Sequence, residues 1–240
     1  MASVALVTGA SRGIGLATAR LLTRHGIATI FAMRNPDDAA DTVAALGEEG
    51  RRCALLALDI CDSASIAAAA NDVAATFGRL DILVNNAAVM IDDPTLAPSA
   101  QSLDTWRQTL ETNLLGTIAV TRALLPLIRT ARAGRIVNVS SSGGSLGMHS
   151  DPETDVYPHK LPAYGASKAA LNAWTIHLAY ELRDTPIKVN AIQPGNTCTS
   201  LNPHGVLTPD EAAETCLRFA LLDADGPHGG FFDADGRLPW

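Results

Sequence analysis

The chain has no C-x-x-C spacing: Cys53, Cys61, Cys198 and Cys216 stand without a partner spacing and without a histidine cluster beside them. A thiolate metal knot is thereby excluded, and the four read as reduced core or helix residues in a reducing compartment. The six histidines form no H-x-x-x-H pair, so no metal site is expected. Although 47% of the residues are apolar, no run approaches the ~20 apolar residues that a bilayer-crossing helix needs. Basic clusters are missing too: the 18 Lys and Arg are scattered over a chain of net charge −7, which leaves no footprint for nucleic acid. Repeats, charge blocks and low-complexity linkers are absent. The opening MASVALVTGASRG has no basic leader and runs straight into a glycine-rich turn, so it reads as a first strand and the protein as cytoplasmic.

What is present is alternation. At 240 residues the chain suits one domain with a sizeable core. Short β-branched runs at Val4–Val7, Ile27–Met33, Cys53–Leu58 and Leu80–Val84 alternate with Ala-rich helical stretches at Ile14–His25, Asp38–Glu49 and Ser63–Phe77. The second half continues with a long helix over Ser102–Arg132 interrupted near Pro126, a strand at Arg135–Val139, a helix at Ala163–Arg183, a strand at Ile187–Ile192, a helix at Pro209–Leu222 and a last strand at Gly229–Phe232. Successive βαβ units of this kind predict an α/β fold, a parallel sheet with helices on both faces. One segment stands outside the series. Residues Ser145–Pro162, SLGMHSDPETDVYPHKLP, carry three prolines and polar turn residues, and read as a long loop.

Between the first strand and first helix lies Thr8-Gly9-Ala10-Ser11-Arg12-Gly13-Ile14-Gly15. Gly9 permits the sharp turn, Gly13 lets backbone approach a pyrophosphate, and Gly15 lets helix and strand pack closely. The helix N-terminus then offers free N–H groups to the anion. This strand–turn–helix setting predicts a dinucleotide site. At the end of the second strand, where a carboxylate would hold a free adenosine ribose, stands Met33-Arg34-Asn35. Arg34 with Arg12 suits a 2′-phosphate and favours NADP over NAD. The competing reading leaves Arg34 as a solvated charge and brings Asp37 or Asp38 to the ribose.

Tyr164 and Lys168 are one helical turn apart in AYGASKAALNAW, phenol beside ammonium on one face. A neighbouring cation favours the phenolate, so the pair predicts an acid tuned towards neutrality.

TGASRGIG at Thr8–Gly15, NNAA at Asn85–Ala88, Asn113, the run Ser140–Ser142, Tyr164-x-x-x-Lys168 and PGNTCT at Pro194–Thr199 stand in order. Together they resemble the short-chain dehydrogenase/reductase family along almost the whole chain, with features of its carbonyl-reductase-like members. The resemblance implies a single-domain Rossmann fold with a seven-stranded parallel sheet in the order 3-2-1-4-5-6-7. It implies an NADP-dependent oxidoreductase acting on a ketone, aldehyde, quinone or alcohol, with a biosynthetic ketoreductase as the variant within the class. A catalytically idle dinucleotide-binding protein is the rival from outside it. Under the resemblance Ser141 polarises the carbonyl, with Ser140 and Ser142 one place away as competitors. Tyr164 exchanges the proton, and Lys168 lowers the tyrosine pKa and holds the nicotinamide ribose. Asn113 retains a water beside the lysine. Asp59 meets the adenine amino group, its plain alternative being a helix cap before Ser63. Gly9, Ser11, Arg12, Gly13, Ile14 and Gly15 cradle the phosphates. Asn85 stabilises the sheet centre beside the cofactor ribose, and Ala87, Pro194 and Gly195 belong to the cofactor site. Thr197 and Thr199, after the Pro194-Gly195 turn, line the carboxamide, their plain alternative being turn hydroxyls.

Two departures stand out. Ala88 replaces the family's usual glycine, and 23 positions separate Ser141 from Tyr164 where the family needs about a dozen, so residues 145–162 contain an insertion. In the carbonyl-reductase-like members such an insertion covers the helix surface used for tetramers; with the ending GGFFDADGRLPW it favours a monomer. Met90, Ile91, Leu146, Met148, Tyr157, Leu161 and Leu201 are candidate apolar walls for the substrate. Trp174 and Leu178 read as core.

Overall fold

The computed structural model describes residues 2–240. Seven parallel strands form one sheet in the order β3-β2-β1-β4-β5-β6-β7. They are β1 (Val4–Thr8), β2 (Ala28–Met33), β3 (Cys53–Ala57), β4 (Ile82–Asn85), β5 (Arg135–Val139), β6 (Lys188–Ile192) and β7 (Phe231–Phe232). The helices are α1 (Gly13–Arg24), α2 (Ala40–Ala45), α3 (Ser63–Phe77), α4 (Leu103–Leu110), α5 (Thr117–Ile128), α6 (Leu146–Ser150), α7 (Pro162–Glu181) and α8 (Pro209–Ala220). β1, β4 and β5 are buried along their whole length, which is why they read as apolar runs without alternation. The period-2 geometry of β1 sends Leu6 into a core with Ile30, Val120 and Leu178, and Val7 into a second core with Phe31, Val137 and Phe219 on the opposite face. Because β1 pairs with both β2 and β4, the chain direction of the crossovers switches there, and a crevice opens at the strands' C-terminal ends.

α3 and β5 coincide with the spans expected from sequence. Elsewhere the differences have local causes. The stretch expected as one helix over 38–49 keeps only α2, because Pro36–Ala39 winds more tightly before it and Gly47, at φ +56°, ends it. Pro126 does not interrupt its helix: it lies in the last turn of α5, where its missing N–H frees a single carbonyl. The break falls at Glu111–Gly116, a widened π-type turn between α4 and α5. A Cβ on Gly116 would lie 2.7 Å from the carbonyl oxygen of Ile60, so the wide turn is pressed against the loop before α3. The insertion contains the short α6, whose first turn is closed by Ser145 Oγ accepting from Met148 N at 3.2 Å.

No helix among the described residues is long and apolar enough to cross a membrane. No group of three potential metal ligands occurs among them.

Candidate active site

At the end of β1 the backbone turns through Gly9 at φ +66° and Gly13 at φ +57°, and α1 begins. Arg12 occupies the cap position without a side-chain bond to the helix, and no acidic residue stands in the first turn, so the leading N–H groups face the crevice uncompensated. Gly15 has no room for anything larger: a Cβ there would lie 2.4 Å from both Asn86 Nδ2 and the Gly9 carbonyl oxygen. Asn86 Nδ2 donates to the carbonyls of Thr8 at 2.9 Å and Gly9 at 3.3 Å, while Thr8 Oγ1 accepts from Asn86 N at 2.9 Å and Ala87 N at 3.1 Å. These bonds join the ends of β1 and β4 under the glycine turn.

A cleft of about 260 Å³ runs over this turn, lined by Gly9, Ser11, Arg12, Gly13, Ile14, Gly15, Arg34, Asp59, Cys61, Asn86, Ala87, Ala88, Val89 and Thr199 with their neighbours. Thr199 closes over it: a Cβ on Gly13 would lie 3.4 Å from Thr199 Cγ2. Thr199 is itself fixed by accepting from Leu201 N and Asn202 N, both at 3.2 Å.

Asn85 stands inside the sheet, its Nδ2 donating to Thr121 Oγ1 at 3.0 Å and Asn138 Oδ1 at 2.9 Å, and its neighbour Asn86 lines the cleft. One expectation needs correction here. Thr197 is buried with its hydroxyl donating to the Gly195 carbonyl at 3.1 Å, because Gly195, at φ +97°, folds the chain back on it. Pro194 and Gly195 form the turn that leads to Thr199, which lines the cleft.

At one end of the cleft Arg12 and Arg34 are exposed, and no ion pair among the described residues includes either. Asp37 and Asp38 do not reach the cleft. Asn35 holds both, accepting from Asp37 N at 3.3 Å and donating to Asp38 Oδ1 at 2.9 Å. Asp59 is not the cap of α3; Asp62 performs that task with Ala64 N and Ser65 N, which leaves Asp59 on the cleft wall accepting from Cys61 N at 2.9 Å.

α7 brings Tyr164 against the turn after β5. Ser141 stands beside the Tyr164 side chain, near enough to favour its ionised form, and accepts from Gly143 N at 3.1 Å. A Cβ on Gly143 would lie 3.4 Å from Ser141 Oγ and 3.7 Å from the Tyr164 ring, so the absence of a side chain keeps the two hydroxyls in reach. Ser140 points elsewhere, donating to Asn172 Oδ1 at 2.7 Å in the interior. Asn172 Nδ2 also donates to the Gly144 carbonyl at 3.2 Å, so one residue of α7 brackets Ser141 from both sides. Lys168 is 3% exposed and donates from Nζ to the Val139 carbonyl at 2.7 Å.

Burial dominates the electrostatics. It pushes Lys168 down from 10.5 to about 8. It pushes the Tyr164 phenol above its usual 10, and the nearby Ser141 hydroxyl offsets part of that rise. The expected lowering of Tyr164 by the lysine is therefore corrected: in the protein alone the phenol is held in its neutral, proton-bearing form.

Asn113 lies in the widened turn. Oδ1 accepts from Val89 N and Nδ2 donates to the Val89 carbonyl, both at 2.8 Å, while Nδ2 also donates to Ser167 Oγ at 3.0 Å, so both of its amide hydrogens are used. Its main-chain carbonyl accepts from Thr117 Oγ1 at 3.2 Å. Of the candidate substrate walls, Leu146 is 70% exposed, and Lys160 folds the insertion onto itself by donating to the His149 carbonyl at 3.0 Å and covering the Tyr157 ring. Asn86, Asn172 and Asp92 carry contacts that no sequence pattern singled out; Asn86 alone had a signal, as the second residue of NNAA.

Residues 3–206 match the family model described as short chain dehydrogenase. (−)-Isopiperitenone reductase of Mentha piperita is 32% identical, the match covering 98% of this chain and 97% of that protein. The structure of menthone neomenthol reductase from Mentha piperita superposes with a TM-score of 0.80 at 29% identity, over 97% of this chain and 99% of that one. A short chain dehydrogenase from Shigella flexneri 2a str. 301, complexed with NADP, superposes with a TM-score of 0.83 at 30% identity and 97% coverage of both chains.

Proposed function

The chain belongs to the short-chain dehydrogenase/reductase family of oxidoreductases, and from that premise we propose an NADP-dependent reductase of apolar ketones, reversible as an alcohol dehydrogenase. The observation that carries this reading is the meeting of the Ser141 and Tyr164 side chains beside Gly143, with Lys168 buried and its Nζ 5.6 Å from the Tyr164 ring centre. The cleft fits the nucleotide: its glycine turn admits no Cβ at Gly15, its helix N-terminus is uncompensated, and two unpaired arginines stand at its adenosine end. When bound, NADPH supplies a hydride. Every other element of the reaction belongs to the protein. A carbonyl oxygen placed between the two hydroxyls receives a fixed donor from Ser141 and a transferable proton from Tyr164. The upward shift of Tyr164 keeps that proton available near neutrality, and Lys168, at about 8, remains mostly an ammonium at pH 7. We assign Asn113 the retention of a water through its main-chain carbonyl, which reconnects the pair to solvent.

Arg34 and Arg12 favour a 2′-phosphate, since both line the cleft and neither Asp37 nor Asp38 does. The two relatives from Mentha piperita carry names of cyclic monoterpenoid ketones, which supports an apolar ring ketone as the substrate class. An idle nucleotide binder would have no use for a buried lysine beside a paired serine and tyrosine. The test is oxidation of NADPH and of NADH with menthone and cyclohexanone. NADPH should be preferred, and Arg34→Ala should raise the KM for NADPH by ~10–100-fold, the worth of a charged hydrogen bond, while leaving NADH unchanged. Turnover with NADH alone, or indifference of NADPH to the substitution, would contradict the cofactor assignment.

A further inference from the structure

The helix that carries Tyr164 and Lys168 has no cap of its own. α7 starts at Pro162, and the preceding Leu161 offers no side-chain acceptor. Pro162 has no N–H and Gly165 N already donates to the Leu161 carbonyl at 2.7 Å, so the orphan donors of this terminus are Ala163 and Tyr164. One carboxylate from the loop after β4 meets both. Ala163 N donates to Asp92 Oδ1 at 2.7 Å and Tyr164 N to Asp92 Oδ2 at 3.0 Å. Asp92 is 9% exposed, and no ion pair among the described residues includes it, so the helix terminus is what balances its charge.

The origin of this cap matters more than its strength. Asp92 belongs to the loop whose Asn86–Val89 portion lines the cleft, and Asn113 pins that loop by bonding both main-chain groups of Val89. Asn113 also donates to Ser167 Oγ, which in turn donates to the Tyr164 carbonyl at 2.7 Å. The N–H and the C=O of Tyr164 are therefore both tied to one loop, the first directly through Asp92 and the second through Ser167 and Asn113.

We propose that Asp92 is a positioning residue, which caps α7 from the cleft-lining loop and thereby fixes where the Tyr164 phenol stands relative to Ser141 and the cleft. The proposal rests on the functional assignment of Tyr164 given above. Aspartate suits the task because its two acceptor oxygens lie in one plane; asparagine would turn an NH2 towards one of the two N–H groups, and alanine would leave both without a partner.

The test uses the full chain as Asp92→Asn and Asp92→Ala, with two readouts. Amide hydrogen exchange at Ala163 and Tyr164, followed by NMR without cofactor, should speed up by ~10–100-fold in the alanine variant, while β1 and β4 keep their protection. With NADPH and menthone, kcat per cofactor-binding site should fall by ~10–100-fold in the alanine variant and by less in the asparagine variant. The KM for NADPH should stay within ~2-fold, because the cradle is untouched. Unchanged exchange at those two amides would overturn the cap; a lower melting temperature with unchanged kcat per site would overturn the positioning role. If the alanine variant does not fold, the isosteric asparagine variant decides both. If the wild-type protein reduces no ketone with NADPH, the functional reading fails separately and the exchange measurement alone decides the cap.

Discussion

Lys168 Nζ lies 5.6 Å from the centre of the Tyr164 ring and spends a hydrogen bond on the Val139 carbonyl at 2.7 Å. The ammonium is thus held by the end of β5, beside the phenol rather than against its oxygen. Its low position on the pH scale follows from burial and predicts a pH dependence of stability. Lys168 titrates at 10.5 when unfolded and at about 8 when folded, so between these values the unfolded chain binds the extra proton. Folding is penalised below pH 8, and the penalty fades as the pH rises to 10.5. Lys168→Met lacks this linkage. The unfolding free energy of the wild type minus that of the variant should climb between pH 8 and 10.5 and stay flat from pH 6 to 7; a fall across the upper window would contradict the assignment. Urea denaturation at each pH measures it.

Gly15→Ala tests the cradle. The added methyl would stand 2.4 Å from Asn86 Nδ2 and from the Gly9 carbonyl, both of which form the turn itself. Overpacking of this kind costs about 1–3 kcal/mol. Urea unfolding should register that loss, and NADPH fluorescence titration should show weakened binding even where the variant remains folded.

Cys61 supplies a direct report on the nucleotide. It is exposed, lines the cleft two residues after Asp59, and its Sγ is 3.5 Å from Thr112 Oγ1. Saturating NADP should slow its alkylation by a maleimide, read by peptide mass, while Cys198, exposed in the loop after β6 and outside the cleft, should react at an unchanged rate. Equal protection of both would argue against a nucleotide in this cleft.

The strands and the Tyr164 and Lys168 pair were legible because each rests on local pattern: buried parallel strands are written as apolar runs, and a helical pair is written as a four-residue spacing, whereas the order of the sheet came from the family resemblance. The widened turn at Glu111–Gly116 was not, since it depends on Gly116 meeting Ile60 and Asn113 meeting Val89 across the fold. The same limit explains why Asn86 was not singled out beside Asn85. Adjacent residues of a strand end point to opposite sides, and which side faces the cleft is decided by Thr8 on a different strand. Choosing Ser141 from three serines likewise required Asn172, a helix away, to engage Ser140. Asp92 had no pattern at all, because a cap supplied 71 positions upstream leaves no spacing to read.

The most direct measurement is the turnover of Tyr164→Phe with NADPH and menthone. Removing one hydroxyl takes away the transferable proton and leaves the cleft intact, so kcat should fall by ~10²–10⁴-fold with NADPH affinity within ~3-fold of wild type. Full turnover by this variant would contradict the assignment of Tyr164 as the acid and, with it, the chemistry assigned to this cleft.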